Sequence, residues 1–297
     1  MPLQSLPPNL AWALLAFWIV AMGGVVGSFL NVVVYRLPAG MNIAWPGSHC
    51  PRCNHPIRWY DNVPVLGWIL LGGRCRDCKS PIAIRYPLVE AGTAALFGVL
   101  ALREIVRNGA NLPMPAIDAA GPHALRPLSH LTGLCGFHLL LLCTLLAAAL
   151  IAYDGKRLPW RLFLPVLLVG TLAPPVWPSL HPVGAWIGIE HSPFAGAMNA
   201  TVGLAAGLAL ASVERLSGRG RRPGSDLRGG AICVAMVLGW QAGLVLTVAA
   251  VAVYEVVHLA ARRTPPIGRL PAAAWLGLGT LGWILGWAQL VQWARLW

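Results

Sequence analysis

The chain has 297 residues, 57% of them hydrophobic and only 11% charged, with a mean hydropathy of +0.65. A soluble globular protein carries about a quarter charged residues, so these values exclude that class and indicate a polytopic membrane protein. Net charge is +12, but eighteen of the 22 Lys and Arg fall in four loops that share one side of the membrane if the N-terminus is outside; that is a positive-inside pattern, not a nucleic-acid footprint.

Apolar runs predict about eight transmembrane helices, at roughly 10–35, 87–106, 132–152, 160–177, 194–213, 229–242, 243–261 and 272–293. The fold class expected is therefore all-α and polytopic. No Lys or Arg precedes Arg36, so the first run reads as a retained span rather than a cleaved signal peptide. The last division, at Gly239 to Gly243, splits one long apolar run in two.

After the first span comes a polar loop, 36–86, expected to be cytoplasmic. It holds Cys50-x-x-Cys53 and Cys75-x-x-Cys78 with 21 residues between the pairs. Two such knuckles can wrap one tetrahedral ion with four thiolates, as in a zinc ribbon. A closed four-thiolate site has no open coordination position, so its zinc is structural. Disulfides, the alternative, do not suit a cytoplasmic loop. Each pair is followed by a polar residue and then Pro (Pro56 and Pro81), which predicts two similar turns facing each other. Asp61 and Asp77 read as structural acids of this loop.

Only ten acids occur in the chain, so each needs a reason. Glu90 sits one turn into the second span, where an acid is expensive and is a functional candidate; the plain alternative is a pairing with Arg85 or a neighbouring span. Asp118 and Glu190 fall in outer loops and read as solvated. Cys135, Cys143 and Cys233 lie inside apolar spans and read as small buried residues. Glu255 and His258 are spaced to touch on one helix. Asp154 ends the third span, beside Lys156, Arg157 and Pro159, and Asp226 stands just ahead of the sixth; both are expected at the cytoplasmic boundary. Alone, each reads as a helix-end acid. Brought together, two carboxylates cannot both ionise easily, so one can activate a water while the other donates a proton.

Several stretches then carry a resemblance, in order along the chain: "GSFLNVVVYRLP", the two cysteine pairs with "DNVPVLGW" between them, "RYPLVE", Asp154 before "RLP", Asp226 before "LR", "LGWQ" and "PPIG". Together they resemble bacterial type IV prepilin leader peptidases, membrane aspartic endopeptidases, over about residues 23–290. The resemblance implies cleavage of the basic leader of prepilins or pseudopilins at the cytoplasmic face of the inner membrane, with Asp154 and Asp226 as the catalytic pair. It also implies N-methylation of the new N-terminus from S-adenosylmethionine, a cofactor for which the sequence shows no glycine-rich signature of its own. The partners implied are the prepilin substrate and the lipid bilayer.

The domain reading that follows is 1–110, with the first two spans and the cysteine loop, methyltransferase-associated by resemblance; 132–261, the membrane peptidase; and 262–297, a last span. One departure stands out. Where the family has Gly-x-Gly-Asp, this chain has Pro223-Gly224-Ser225-Asp226. The turn after Asp154 is also shorter than the family's. Two other readings remain open at this stage: an impaired relative that methylates or acts as an assembly scaffold, and an ion-coupled transporter using Asp154, Glu90 and Asp226.

Overall fold

The computed structural model describes residues 8–113, 127–181, 192–216, 226–260 and 270–294. Among the described residues there are helices and turns but no strand. Every expected apolar run forms a helix: α1 (Pro8–Arg36), α3 (Arg85–Leu100), α4 (Leu128–Tyr153), α5 (Leu164–Val176), α6 (Pro193–Leu216), α7 (Arg228–Leu238), α8 (Trp240–Ala260) and α9 (Ala272–Ala294), with a short α2 (Leu66–Leu70) in the cysteine loop.

Five of these helices (α1, α4, α6, α8 and α9) contain segments long and apolar enough to cross a membrane. The expected count of eight is met in helices but not in length. α5 is closed by Pro174 and Pro175 near its end, and α7 stops at Gly239, whose φ of 93° takes the chain out of the helical region. That break lies where the sequence divided the sixth and seventh spans. α3 has 16 residues and runs into a π-helical turn, Ala101–Val106, a form that appears mostly as a local bulge.

The chain divides into two compact units, Met1–Leu102 and Arg103–Trp297. In the first, α1 and α3 pack through glycine. A Cβ on Gly23 would come within 2.8 Å of the Ala94 Cα, and one on Gly27 within 2.8 Å of the Glu90 Cα. Small residues four apart let two membrane helices approach this closely. Asn31 adds an amide bond to the Tyr86 carbonyl at 3.2 Å, so "GSFLN" and "RYPLVE" meet across the helix pair.

In the second unit α7 is the buried element, with every residue from Cys233 to Leu238 in the core. Glycine again sets the spacing: Cβ atoms on Gly203 and Gly207 of α6 would come within 2.5 Å of the Ala235 carbonyl oxygen and the Ile232 Cα of α7. α4 packs against α7 and α9, and Leu145 of α4 and Leu276 of α9 both crowd Gly230.

Candidate functional site

The cysteine loop is built as a duplicate. The N–H of Cys50 donates to the His55 carbonyl, that of Asn54 to Cys50, and that of Ile57 to Ser48. The N–H of Cys75 donates to the Ser80 carbonyl, that of Lys79 to Cys75, and that of Ile82 to Gly73. The two patterns superpose residue for residue. The single left-handed residue of each turn falls at the same place, Asn54 with φ 56° and Lys79 with φ 57°. Isolated bridges His49–Pro56 and Arg74–Pro81 close the two turns. The sequence spacing thus foretold both turns correctly.

The two knuckles bring the four sulfurs within 4.8 Å of one another. Cys50 Sγ lies 3.7 Å from Cys78 Sγ, and Cys53 Sγ lies 4.0 Å from Cys75 Sγ. Tetrahedral zinc with bonds of about 2.3 Å needs sulfurs about 3.8 Å apart. The donor set fits that ion. Backbone N–H groups of Cys53 and Arg52 bring the Cys50 thiol down to about 6. At Cys53 the His55 N–H is outweighed by desolvation and the other three cysteines, which push its thiol up to about 12. Four thiolates this close would require a cation among them. Around the knuckles, Arg76 grips Asp61 with two bonds of 2.7 and 2.6 Å, and Arg58 reaches Asp77 at 3.1 Å. The Arg76 bonds hold the Asp61 carboxyl below the usual carboxylate range. Both acids are structural, as read.

Glu90 has a partner that neither expectation named. Its Oε2 accepts the backbone N–H of Val65, in the cysteine loop, at 2.7 Å. Val65 has φ 62° and ψ −51°, and Leu66 donates to Pro64 across it at 2.6 Å. This is a γ-turn of the rare positive-φ kind, centred on a β-branched residue. Beside it, Arg36 is 6% exposed and donates to the carbonyls of Asn42 (3.2 Å) and Gly47 (3.3 Å). It has no carboxylate partner among the described residues. A methyl donor bearing an amino-acid carboxylate would need such a cation, so Arg36 fits that end of the molecule.

In the second unit Asp154 follows α4 directly and is exposed. Asp226 stands two residues before α7 and is half-buried. Its Oδ1 accepts the Arg228 N–H at 3.2 Å, which caps the helix start. The Arg228 guanidinium holds both Asp226 oxygens, at 3.1 and 2.9 Å. Phe163, shortly after Asp154, packs on Gly229, shortly after Asp226. The segments that follow the two acids therefore meet at Phe163 and Gly229. Pro223 and Ser225 lie outside the described residues, as do Asp118, Glu190 and "PPIG".

Two features of this unit went unread in the sequence. Glu214 of α6, 9% exposed, accepts the Leu227 N–H on its Oε1 at 2.8 Å, fixing the backbone next to Asp226. Deeper in, Glu104, Asn111 and His138 are all fully buried. Glu104 Oε1 is the hub: His138 Nδ1 lies 2.8 Å away and Asn111 Nδ2 3.2 Å. Asn111 also straddles one turn of α9, donating to the Ile284 carbonyl at 3.0 Å and accepting from the Ala288 N–H at 2.9 Å. Of the other acids and histidines, His258 stacks on Tyr254 with centroids 5.7 Å apart. Cys135, Cys143 and Cys233 are buried free thiols, as expected.

Residues 21–104 match the family model of the bacterial peptidase A24 N-terminal domain. A prepilin leader peptidase/N-methyltransferase of Burkholderia pseudomallei (strain 1026b) is 38% identical over 234 residues, 65% of this chain and 75% of that protein. One from Pseudomonas aeruginosa is 36% identical over 177 residues, 52% of each chain. One from Myxococcus xanthus is 49% identical over 90 residues, which is 30% of this chain and 27% of that protein. No solved structure matches the chain.

Proposed function

The chain belongs to the prepilin leader peptidase/N-methyltransferase family, and from that premise we propose that it removes the leader of type IV prepilins or pseudopilins and then N-methylates the exposed amine. The catalytic groups in this reading are Asp154 and Asp226. One carboxylate takes a proton from a water, which attacks the scissile carbonyl; the other donates a proton, which passes to the leaving amine as the C–N bond breaks. What supports this most is that the segments following the two acids meet, although the acids are 72 residues apart in sequence: Phe163, nine residues after Asp154, packs on Gly229, three residues after Asp226.

In the sequence, the stretches that carry Asp154 and Asp226 belong to the loops rich in Lys and Arg, so positive-inside topology argues for a cytoplasmic active site in a bacterial inner membrane. A basic leader would be drawn to acids at that surface. Cys50, Cys53, Cys75 and Cys78 would hold a structural zinc that shapes the loop and takes no part in either reaction. S-adenosylmethionine, when bound, supplies the methyl group; Arg36 would hold its carboxylate. The expected domains follow: 1–110 with methyl transfer, 132–261 with proteolysis, 262–297 as a last helix.

The reading of an impaired relative rests on a specific feature. Pro223 and Ser225 replace glycines where the backbone would otherwise be free to take positive φ or approach substrate. A single experiment separates the two. The protein is reconstituted in membrane and given a prepilin, and the product mass is read for leader loss and for an added methyl. Leader removal by the native chain that disappears in Asp154→Asn and in Asp226→Asn supports the peptidase. Full cleavage by either Asn variant rejects the two-aspartate mechanism. Methylation of a pre-cleaved pilin without cleavage of the prepilin establishes the impaired relative.

A further inference from the structure

The first unit contains a cavity of about 290 Å³ between α1 and the cysteine loop. One wall is a single face of α1, with Val25, Phe29 and Val32 leading down to Arg36. These positions are spaced at helical intervals, so they form one stripe. The other wall is loop: the segment from Ile43 to Ser48, and Asn62 and Pro64. Along the helix the cavity is apolar except for Ser28, and it ends at the Arg36 guanidinium where the helix stops.

Three observations mark it as a binding site. First, Arg36 lines it, is 6% exposed, and spends its bonds on two backbone carbonyls with no acid to balance its charge among the described residues. A buried guanidinium without an anion is costly, and its planar fork is matched to carboxylate or phosphate. Second, the Pro64 wall is held in a strained position. Val65 keeps its positive φ because Glu90 captures its N–H and Pro64 rests on Gly24, where a Cβ would lie 3.2 Å from the proline. Strain of this kind persists only where the surroundings over-determine it, and it clusters at ligand sites. Third, the size is at the lower end for small-molecule sites, enough for an amino-acid end or a headgroup but not for a whole nucleoside-bearing molecule.

We infer that this cavity is an oxyanion site: Arg36 receives a carboxylate or phosphate whose apolar neighbour lies along Val25, Phe29 and Val32. That chemistry has two sources, the amino-acid carboxylate of the methyl donor and the phosphate of an anionic lipid. The donor source rests on the methyl-transfer reading above; the site itself does not.

The test uses the full-length protein in detergent. S-adenosylmethionine binding is measured by equilibrium dialysis, and phosphatidylglycerol retention by native mass spectrometry with diacylglycerol, which lacks the phosphate, as the comparison. Two variants are compared with the native chain: Arg36→Gln, which removes the charge, and Val32→Trp, which fills the cavity and leaves Arg36 alone. Zinc content reports whether the loop is intact. Where Arg36→Gln loses zinc, Val32→Trp decides. The expected result is at least tenfold weaker binding in the variants with zinc unchanged, for S-adenosylmethionine if the donor is the occupant and for phosphatidylglycerol if a lipid is. A native chain that binds neither probe, or a zinc-loaded Val32→Trp that binds both within twofold of native, overturns the inference. Lipid binding that follows the cavity while S-adenosylmethionine binds nowhere keeps the site and removes methyl transfer from the proposed function.

Discussion

Replacing His138 by Leu should destabilise the second unit by about 2–4 kcal/mol. Glu104 and His138 are fully buried and 2.8 Å apart, and the substitution leaves the carboxyl with one amide donor, Asn111 at 3.2 Å. Two magnitudes bracket the effect. A neutral hydrogen bond between membrane helices is worth about 0.6 kcal/mol on average and about 1.7 at most. Breaking one side of a buried ionisable pair costs about 3–5 kcal/mol. Glu104 Oε2 and His138 Nε2 have no partner among the described residues, so little compensates the lost contact, and the cost should exceed the ordinary membrane value. Side-chain volume changes little, so cavity formation adds little. The double variant Glu104→Met/His138→Leu should recover most of the loss, because no polar group is then stranded. The assay is unfolding in mixed micelles by SDS titration, followed by far-ultraviolet circular dichroism. A single variant within about 1 kcal/mol of native, or a double variant worse than the single, refutes the idea that a stranded carboxyl sets the cost.

Three further outcomes follow from the other contacts. Cys78→Ser should lower zinc below one per chain and reduce protein yield before it affects chemistry; zinc-free native protein with four freely alkylated thiols would contradict the metal centre. Asp61, held low by the Arg76 bonds, contributes loop stability that is full above the ordinary carboxyl range and is lost as pH falls through its lower folded value. Acid unfolding of the loop, followed by Trp59 fluorescence, should therefore begin at higher pH in Arg76→Gln, and an unchanged profile would count against it. Glu214→Ala should slow prepilin cleavage by releasing the Leu227 N–H, whereas Glu214→Gln, which keeps a carbonyl acceptor, should recover most of the rate; equal losses in both would mean that the charge, not the bond, matters.

Much of the first unit was legible because its signals are local. Cys50, Cys53, Cys75 and Cys78 declare their geometry by spacing, and the matching hydrogen bonds follow from each short turn. The break at Gly239 was legible for the same reason. What escaped was long-range pairing of single polar residues. Glu90 was read as a functional candidate, or else as a partner of Arg85 or of a neighbouring span; no local pattern announced that it accepts the Val65 N–H, 25 residues earlier. Glu104 and His138 lie 34 residues apart, with no periodicity linking them. Glu214 was one acid in an apolar helix until its partner turned out to be a main-chain N–H. Hydrophobic pattern locates helices; it does not say which buried acid faces which donor. The helices α5 and α7 are shorter than the apolar runs that announced them, because apolar character extends beyond the residues that proline and glycine permit to be helical.

The doubled knuckle has a consequence for how the first unit comes apart. From the end of α1 at Arg36 to the start of α3 at Arg85, the chain is a long tether. A metal cross-link between the two knuckles shortens it to about half or less, and loop closure grows so slowly that each halving recovers only about 0.6 kcal/mol. An ion held there would therefore do little to hold the two helices together; Gly23, Gly27 and the Asn31 amide do that. A chelator should leave a helical hairpin intact in the bilayer while the loop above it melts, so the unit has two separate melting events. Metal starvation in a cell would then unfold the loop first and expose it to proteolysis, while the helix pair beneath it stays folded.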